Sequence, residues 1–482
     1  MKHVDFFYDF SCPYAYLAHG RVDEACARHG ATVRWRPFLL GGVFRAIGTP
    51  DQPAAHMPPS KARLNLLDMH RWADFLGVPL RMPETHPNRT VLALRAAMAS
   101  DDLVRASKAL YAAYWVEARD VSRPEVVKET LDRTGFDGAA LVAKAEDPAI
   151  KEELRRATDE AITAGVFGAP AFVVTVRDEP GREDATELFW GQDRIELVEE
   201  MLAGKALGHG SAARDARSVS DAHSPSGAVL VSDAHSPSGA VLVSDAHSPS
   251  SAVLVSDAHS PSGAVLVSDA HSLSDEPAGG DRTVEMFFDF SSPFAYLAAV
   301  RVREVAGRAG ARVAYRPFLL GGLFHAIGTP NVPLFEMPEA KRRHAAADMA
   351  RWAARFGAPF RFPTRFPMNT VKPLRMVLAL PDEQRPPFID AVFRAYWGDD
   401  RDIGDPATLA EIATSLGLDG TALVARTGDD DLKRALRDAT EEAARRGAFG
   451  APTFFVGDLM FWGQDRLDMV ERALQGWRPA GE

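Results

Sequence analysis

The sequence predicts an α/β fold with an inserted helical domain, built twice in tandem. Three observations predict it. Long motifs return in the same order at nearly constant offsets: HVDFFYDFSCPYAYLA at 3–18 as TVEMFFDFSSPFAYLA at 283–298, and RWRPFLLGGVFRAIGTP at 34–50 as AYRPFLLGGLFHAIGTP at 314–330. Each copy runs strand, helix, strand, a long helical stretch, a hairpin and a last helix. A twelve-residue repeat of low complexity separates the copies.

Residues 3–10 alternate as a strand, and Pro13 stands where the first turn of a helix accepts proline, ahead of AYLAHGRVDEACARHG with helical periodicity. The next strand is 32–38. From about 60 to 165 the apolar spacing is helical, with Leu64, Leu67, Trp72, Phe75, Leu110 and Tyr114 on one face. AFVVTV and TELFWG read as a hairpin, and Asp193 reads as the cap of a closing helix. A βαβ unit, a helical insertion and a ββα unit make a thioredoxin-like fold. Later motifs repeat too: VFGAPAFVV at 166–174 as AFGAPTFFV at 448–456, and FWGQDRIELVEEML at 189–202 as FWGQDRLDMVERAL at 461–474. Between these two motifs the first copy carries TVRDEPGREDATEL and the second only GDLM, a shortened hairpin turn that a loop tolerates.

These boundaries give a first domain at 1–206, a linker at 207–282 and a second domain at 283–482. In the linker V-S-D-A-H-S-P-S-G-A-V-L recurs from Val219, Val231, Val243 and Val255, with a truncated unit at Val267. Ala-Val-Leu-Val between Pro, Gly and Ser supplies too little apolar surface to offset the entropy of ordering, so the composition predicts disorder. As a coil it spans roughly 50 Å. His223, His235, His247, His259 and His271 recur at a spacing that matches no common ligand pattern, and no metal site is expected.

The 482 residues carry 55 basic and 66 acidic side chains, a formal charge of -11, with no basic run long enough to track a phosphate backbone. Nucleic acid is not an expected partner. The first ten residues lack the apolar run of a signal peptide, and no segment approaches a membrane span. The two cysteines, Cys12 and Cys26, are neither a disulfide framework nor a C-x-x-C pair, and a reducing cytoplasm fits them best.

The residues before Pro13 and Pro293 lie where a strand ends and a helix begins, so free N–H groups and the helix dipole favour an anion there. A hydroxyl at that place can donate to a sulfur anion. Ser292 is that hydroxyl in the second copy, and Cys12 holds the place in the first. The helix start is expected to lower the Cys12 pKa.

Four motifs together, D-F-S-x-P-[YF]-A-Y-L-A, R-P-F-L-L-G-G, a Lys and Trp pair (Lys61 with Trp72, Lys341 with Trp352) leading to a Pro-Asn segment, and F-G-A-P followed by F-W-G-Q-D-R, resemble 2-hydroxychromene-2-carboxylate isomerases and kappa-class glutathione transferases of the DsbA-like group. The resemblance covers both copies and excludes the linker. It implies glutathione as cofactor, a small-molecule substrate and a serine, here Ser292, that holds the glutathione sulfur. It further implies a cis bond at Ala169-Pro170 and at Ala451-Pro452, with the alanine backbone pairing with the cysteinyl part of glutathione. Gln192 and Asp193, or Gln464 and Asp465, match the γ-glutamyl end, with Gln where the family commonly shows Ser. Lys61 and Lys341 match the lysine near the glycine carboxylate, and Asn88 and Asn369 match an Asn beside the substrate. Thr49 and Thr329 stand where kappa-class chains carry Asn. The implied activity is glutathione-dependent cis-trans isomerisation. A glutathione transferase and a monothiol disulfide-exchange enzyme using Cys12 are the alternatives. One-domain relatives commonly pair, so the copies are expected to dock as an intramolecular pseudo-dimer.

Overall fold

The computed structural model describes residues 2–50, 53–177, 185–205 and 282–479. The repeat segment, apart from Arg282, and the longer hairpin turn of the first copy lie outside the described residues.

The first copy comprises β1 (Lys2–Tyr8), α1 (Pro13–Arg28), β2 (Thr32–Pro37), α2 (Leu40–Ala46), α3 (Pro59–Leu76), α4 (Val91–Met98), α5 (Leu103–Trp115), α6 (Pro124–Arg133), α7 (Gly138–Lys144), α8 (Pro148–Thr163), β3 (Ala171–Val176), β4 (Ala185–Trp190) and α9 (Ile195–Leu202). The second repeats this order as β5 (Thr283–Phe288), α10 (Pro293–Arg308), β6 (Arg312–Pro317), α11 (Leu320–Ala326), α12 (Glu339–Phe356), α13 (Val371–Ala379), α14 (Arg385–Trp397), α15 (Pro406–Ser415), α16 (Gly420–Arg426), α17 (Asp430–Arg445), β7 (Thr453–Val456), β8 (Leu459–Trp462) and α18 (Leu467–Leu474).

Each copy forms one four-stranded sheet, in the order β2-β1-β3-β4 or β6-β5-β7-β8. β1 pairs parallel to β2 and antiparallel to β3, and β5 does the same with β6 and β7. A central strand is covered on both faces, which is why Val4, Phe6, Phe7 and Tyr8 are all buried where simple alternation predicts one wet face. Phe6 stacks on Phe172 at 5.6 Å and meets Trp35 edge-on at 5.2 Å.

The helical insertion is fastened where the strand gives way to the helix. Trp115 at the end of α5 donates its indole N–H to Phe10 O at 2.8 Å, and Trp397 does the same to Phe290 O at 2.8 Å. Buried Asp9 accepts from the Ser11 N–H (3.0 Å), the Leu40 N–H (2.9 Å) and the Thr90 hydroxyl (2.7 Å). One carboxylate thus gathers the helix-start turn, α2 and the α4 entry. Asp289 binds Ser291, Leu320 and Thr370 in the same way. Burial pushes both carboxyls up, and their donors offset part of that rise.

The two sheets and their helices belong to one unit. Arg351 on α12 donates to Leu188 O on the edge strand β4 at 2.9 Å and lies 4.2 Å over the Phe189 ring. Arg71 on α3 donates to Met460 O on β8 and lies 4.7 Å over Phe461. A long helix of each copy therefore covers the outer edge strand of the other, where unpaired backbone groups would otherwise face water.

Candidate functional site

Cys12 and Ser292 are the N-cap residues of α1 and α10, each followed by proline at the first helical position. Ser292 Oγ accepts from the Ala295 N–H at 3.2 Å and donates to Ala451 O at 2.7 Å. Cys12 makes no cap bond; its thiol donates to Ala169 O at 3.0 Å. Ala169-Pro170 and Ala451-Pro452 are cis, so each alanine carbonyl faces the helix start. The expected lowering of the Cys12 pKa is not found. Burial pushes the thiol up to about 12, outweighing the N–H groups of Ala15 and Tyr14, and buried Asp9 adds to the rise.

The glycine of each F-G-A-P motif has a steric reason. A Cβ on Gly168 would stand 2.6 Å from the Trp190 indole nitrogen, and one on Gly450 would stand 2.6 Å from that of Trp462. Those tryptophans end β4 and β8, and the next glycine, Gly191 (φ 105°) or Gly463 (φ 103°), takes a conformation closed to other residues. A Cβ there would also meet the following aspartate at 2.5 Å.

Gln192, Asp193, Gln464 and Asp465 follow those glycines. Asp193 is not the helix cap the sequence suggested, since neither the short 3-10 turn it occupies nor α9 has a side-chain cap bond. Its carboxylate turns instead to arginines of both copies. Arg194 lies 3.0 Å from Asp193, 3.0 Å from Asp348 and 2.9 Å from Asp465. Arg466 lies 2.8 Å from Asp68, 2.8 Å from Asp193 and 3.1 Å from Asp465. Four carboxylates, Asp348 buried and the other three partly buried, thus share two guanidiniums. Burial raises the Asp193 carboxyl, but Arg194 and Arg466 more than offset it and hold it low. At Asp465 burial wins over the same two arginines and the carboxyl rises, with Asp193 and Asp348 adding to the effect.

The lysines also cross between copies. Lys61 Nζ stands 5.5 Å from the Trp462 ring, and Lys341 Nζ stands 5.4 Å from the Trp190 ring. Burial lowers both pKa values, and Lys61 lowers that of Lys341 further. Asn88 and Asn369 do not occupy equivalent places. Counted from the cis bonds His86-Pro87 and Phe366-Pro367, Asn88 is the residue directly after proline and Asn369 the second one. Asn88 is buried, with Nδ2 unpartnered among the described residues; Asn369 is exposed and accepts from the Val371 N–H at 3.1 Å. Met368 holds the place of Asn88 in the second copy.

The sequence reading missed Asp68, Asp348 and His344. The shared D-M-x-R-W at 68–72 and 348–352 was the available signal for the aspartates, placing each one turn before its tryptophan. His344 Nε2 accepts from the Trp190 N–H at 3.1 Å, and the matching residue at the same offset is Leu64, so no repeated pattern marks it.

Glutathione, implied by the resemblance, can be weighed against the residues present. Its ammonium suits the surplus of carboxylate at Asp193 and Asp465. Its carboxylates suit Gln192 Nε2 and Gln464 Nε2, which are buried, and Lys61 and Lys341; among the described residues the two amides have no acceptor and the two lysines form no ion pair. The donor set fits. No group of three or more potential metal ligands occurs among the described residues.

The DSBA-like thioredoxin domain model matches residues 3–203 and 283–475. A 2-hydroxychromene-2-carboxylate isomerase of Sphingobium xenophagum is 35% identical over 193 residues, 40% of this chain and 98% of that protein. Human glutathione S-transferase kappa 1 is 26% identical over 218 residues, 42% of this chain and 92% of that protein. A solved structure of 2-hydroxychromene-2-carboxylate isomerase is 30% identical, with a TM-score of 0.37 and coverage of 40% of this chain and 94% of its own. The chain belongs to the DSBA-like thioredoxin family, in the group of 2-hydroxychromene-2-carboxylate isomerases and kappa-class glutathione transferases, and carries the family domain twice.

Proposed function

We propose that this chain is a glutathione-dependent isomerase acting on a conjugated, aromatic-derived carboxylate of the 2-hydroxychromene-2-carboxylate type, and that its two copies work as an intramolecular pair. The observation that carries the reading is Ser292, a hydroxyl at a helix N-terminus held 2.7 Å from the carbonyl before cis-Pro452. Bound there, glutathione would supply a thiolate that adds reversibly to a conjugated carbon, turning a double bond into a single bond about which the substrate rotates. Ser292 must first turn its hydroxyl from Ala451 O, since one O–H donates one hydrogen bond at a time. The helix dipole and N–H groups then favour the anion.

Ala451 and Pro452, with Gln464, Asp465 and the other copy's Lys61, form one proposed glutathione site. Ala169 and Pro170, with Gln192, Asp193 and Lys341, form the other. Cross-copy ion pairs at Arg194 and Arg466 support the pairing, and the boundaries 1–206, 207–282 and 283–482 stand as our proposed domain limits. Two free cysteines fit a reducing cytoplasm, and no helix among the described residues is long and apolar enough to cross a membrane. Disulfide exchange through Cys12 is disfavoured by a thiol that keeps its proton and donates it to Ala169 O. Calorimetry with glutathione, followed by an absorbance assay on 2-hydroxychromene-2-carboxylate, tests the proposal. Tight glutathione binding with product formation is expected; binding without isomerisation in favour of a stable adduct would make the protein a transferase.

A further inference from the structure

The loops around cis-Pro87 and cis-Pro367, tied to the helix-start turns through Thr90 on Asp9 and Thr370 on Asp289, carry different chemistry in the two copies. In the first copy the loop is polar. Asn88 is 8% exposed, its N–H donates to the Tyr114 hydroxyl at 2.9 Å, and its Nδ2 has no acceptor among the described residues. His86 Nδ1 lies 2.9 Å from the same hydroxyl. A buried amide donor without a partner costs free energy that an incoming oxygen would recover.

In the second copy two of these groups are replaced and the third makes a different bond. Met368 stands for Asn88 and Phe366 for His86, and Tyr396 donates elsewhere, to Arg365 O at 2.9 Å. Phe366 lies 5.0 Å from Phe362, 6.1 Å from Trp397 and 6.2 Å from Phe335, which is 45% exposed. The residue matching Phe335 in the first copy is Ala55, and the one matching Phe362 is Met82. An edge-to-face array of this kind offers a ring another ring to pack on and offers an oxygen nothing.

We propose that the two copies select chemically different acceptors, the first an oxygen-bearing carbonyl or carboxylate compound held on Asn88 Nδ2, the second a fused-ring aromatic packed on Phe366, Phe362 and Phe335. This rests on the two helix-start sites proposed above. It makes the chain one polypeptide with two substrate ranges. A site built to bond an oxygen rejects compounds that lack it strongly, whereas an apolar wall discriminates only mildly, so the first copy is the narrower of the two.

The test uses the full chain, unreactive probes and NMR titration, with and without S-methylglutathione. 2-Oxobutanoate and naphthalene are each expected to bind at one site per chain. Asn88→Leu should weaken 2-oxobutanoate about 10-fold and leave naphthalene unchanged. Phe366→His should weaken naphthalene about 5-fold and leave 2-oxobutanoate unchanged. Met368→Asn should raise the 2-oxobutanoate stoichiometry from one to two, which keeps the test decisive if Asn88→Leu does not fold. Two sites for either probe in the wild-type chain, equal loss of both probes in either variant, or no probe binding by the folded protein would overturn the proposal. Failure of S-methylglutathione to bind would instead count against the glutathione reading, and calorimetry reports it separately.

Discussion

Arg194 of the first copy reaches Asp465 of the second at 2.9 Å, and Arg466 returns the contact to Asp193 at 2.8 Å. The segment that opens each closing helix is thereby built from both halves of the chain. Replacing Arg194 by Met leaves Asp193, Asp348 and Asp465 short of a cation in a buried place, and urea unfolding should show a loss of about 3–5 kcal/mol. Asp348→Asn on that background should recover part of it. A loss under about 1 kcal/mol would mean the cluster is far better hydrated than its burial implies.

The same cluster is expected to couple the two proposed glutathione sites. Asp68, Asp193, Asp348 and Asp465 outnumber Arg194 and Arg466 by two charges, so each of two ammonium groups removes one surplus charge. The first to bind weakens the field felt by the second, and calorimetry should resolve two events separated by about 5- to 10-fold in affinity. Cys12→Ser, which gives both helix starts the same residue, should preserve the separation. A single isotherm for two equal sites in that variant would exclude the coupling.

At the helix starts, Ser292→Ala removes the bond from the Ala295 N–H and the donation to Ala451 O, and should cost about 1 kcal/mol of stability together with most of the turnover. Cys12→Ser should preserve or raise turnover. Because burial holds the Cys12 pKa near 12, iodoacetamide should alkylate it at pH 8 roughly 100-fold more slowly than a free cysteine, as followed by mass spectrometry. Rapid alkylation would show that the thiol ionises as the helix start alone predicts.

His344 should make the contact between copies sensitive to acid. Burial depresses its pKa to about 4, with Arg351 and Arg194 adding to the effect against Asp348 and Asp193. The neutral ring is the folded form, since its Nε2 accepts the Trp190 N–H. Its contribution is complete above the unfolded value of about 6.5 and is lost as pH falls toward 4, about 3 kcal/mol in all. His344→Leu, which installs the residue found at the matching position 64, should flatten the stability profile between those limits. An unchanged profile would assign the acid sensitivity to other groups.

The strand and helix order and the two four-stranded sheets were legible because each is carried by local residues that appear twice in the sequence; the cis bonds before Pro170 and Pro452 came from the family resemblance, and those before Pro87 and Pro367 were not foreseen. What was not legible depends on distance along the chain. Nothing near Lys61 announces that it will stand by Trp462, and nothing near Asp193 announces Arg466 as its partner in place of its own helix N-terminus. The one-residue offset between Asn88 and Asn369 stands in the sequence as P-N-R-T against P-M-N-T; its effect on burial shows only in the structure, where Asn88 is buried and Asn369 exposed. The Cys12 pKa was misread because position at a helix start is visible in sequence while the depth of burial is not.

The pair of sheets held together at Arg194 and Arg466 has a consequence for how this protein can change. In a dimer of identical chains every substitution appears twice, and a residue near the two-fold axis must be compatible with its own copy. Here the two halves are encoded separately. His344 can face Trp190 while Leu64 keeps the matching place apolar, and Arg355 can pair with Glu200 where the opposite corner sets Arg472 over Phe75. Mutations that would be lethal when doubled can be sampled in one half alone, so the fused chain can explore asymmetric variants that no self-pairing ancestor could hold.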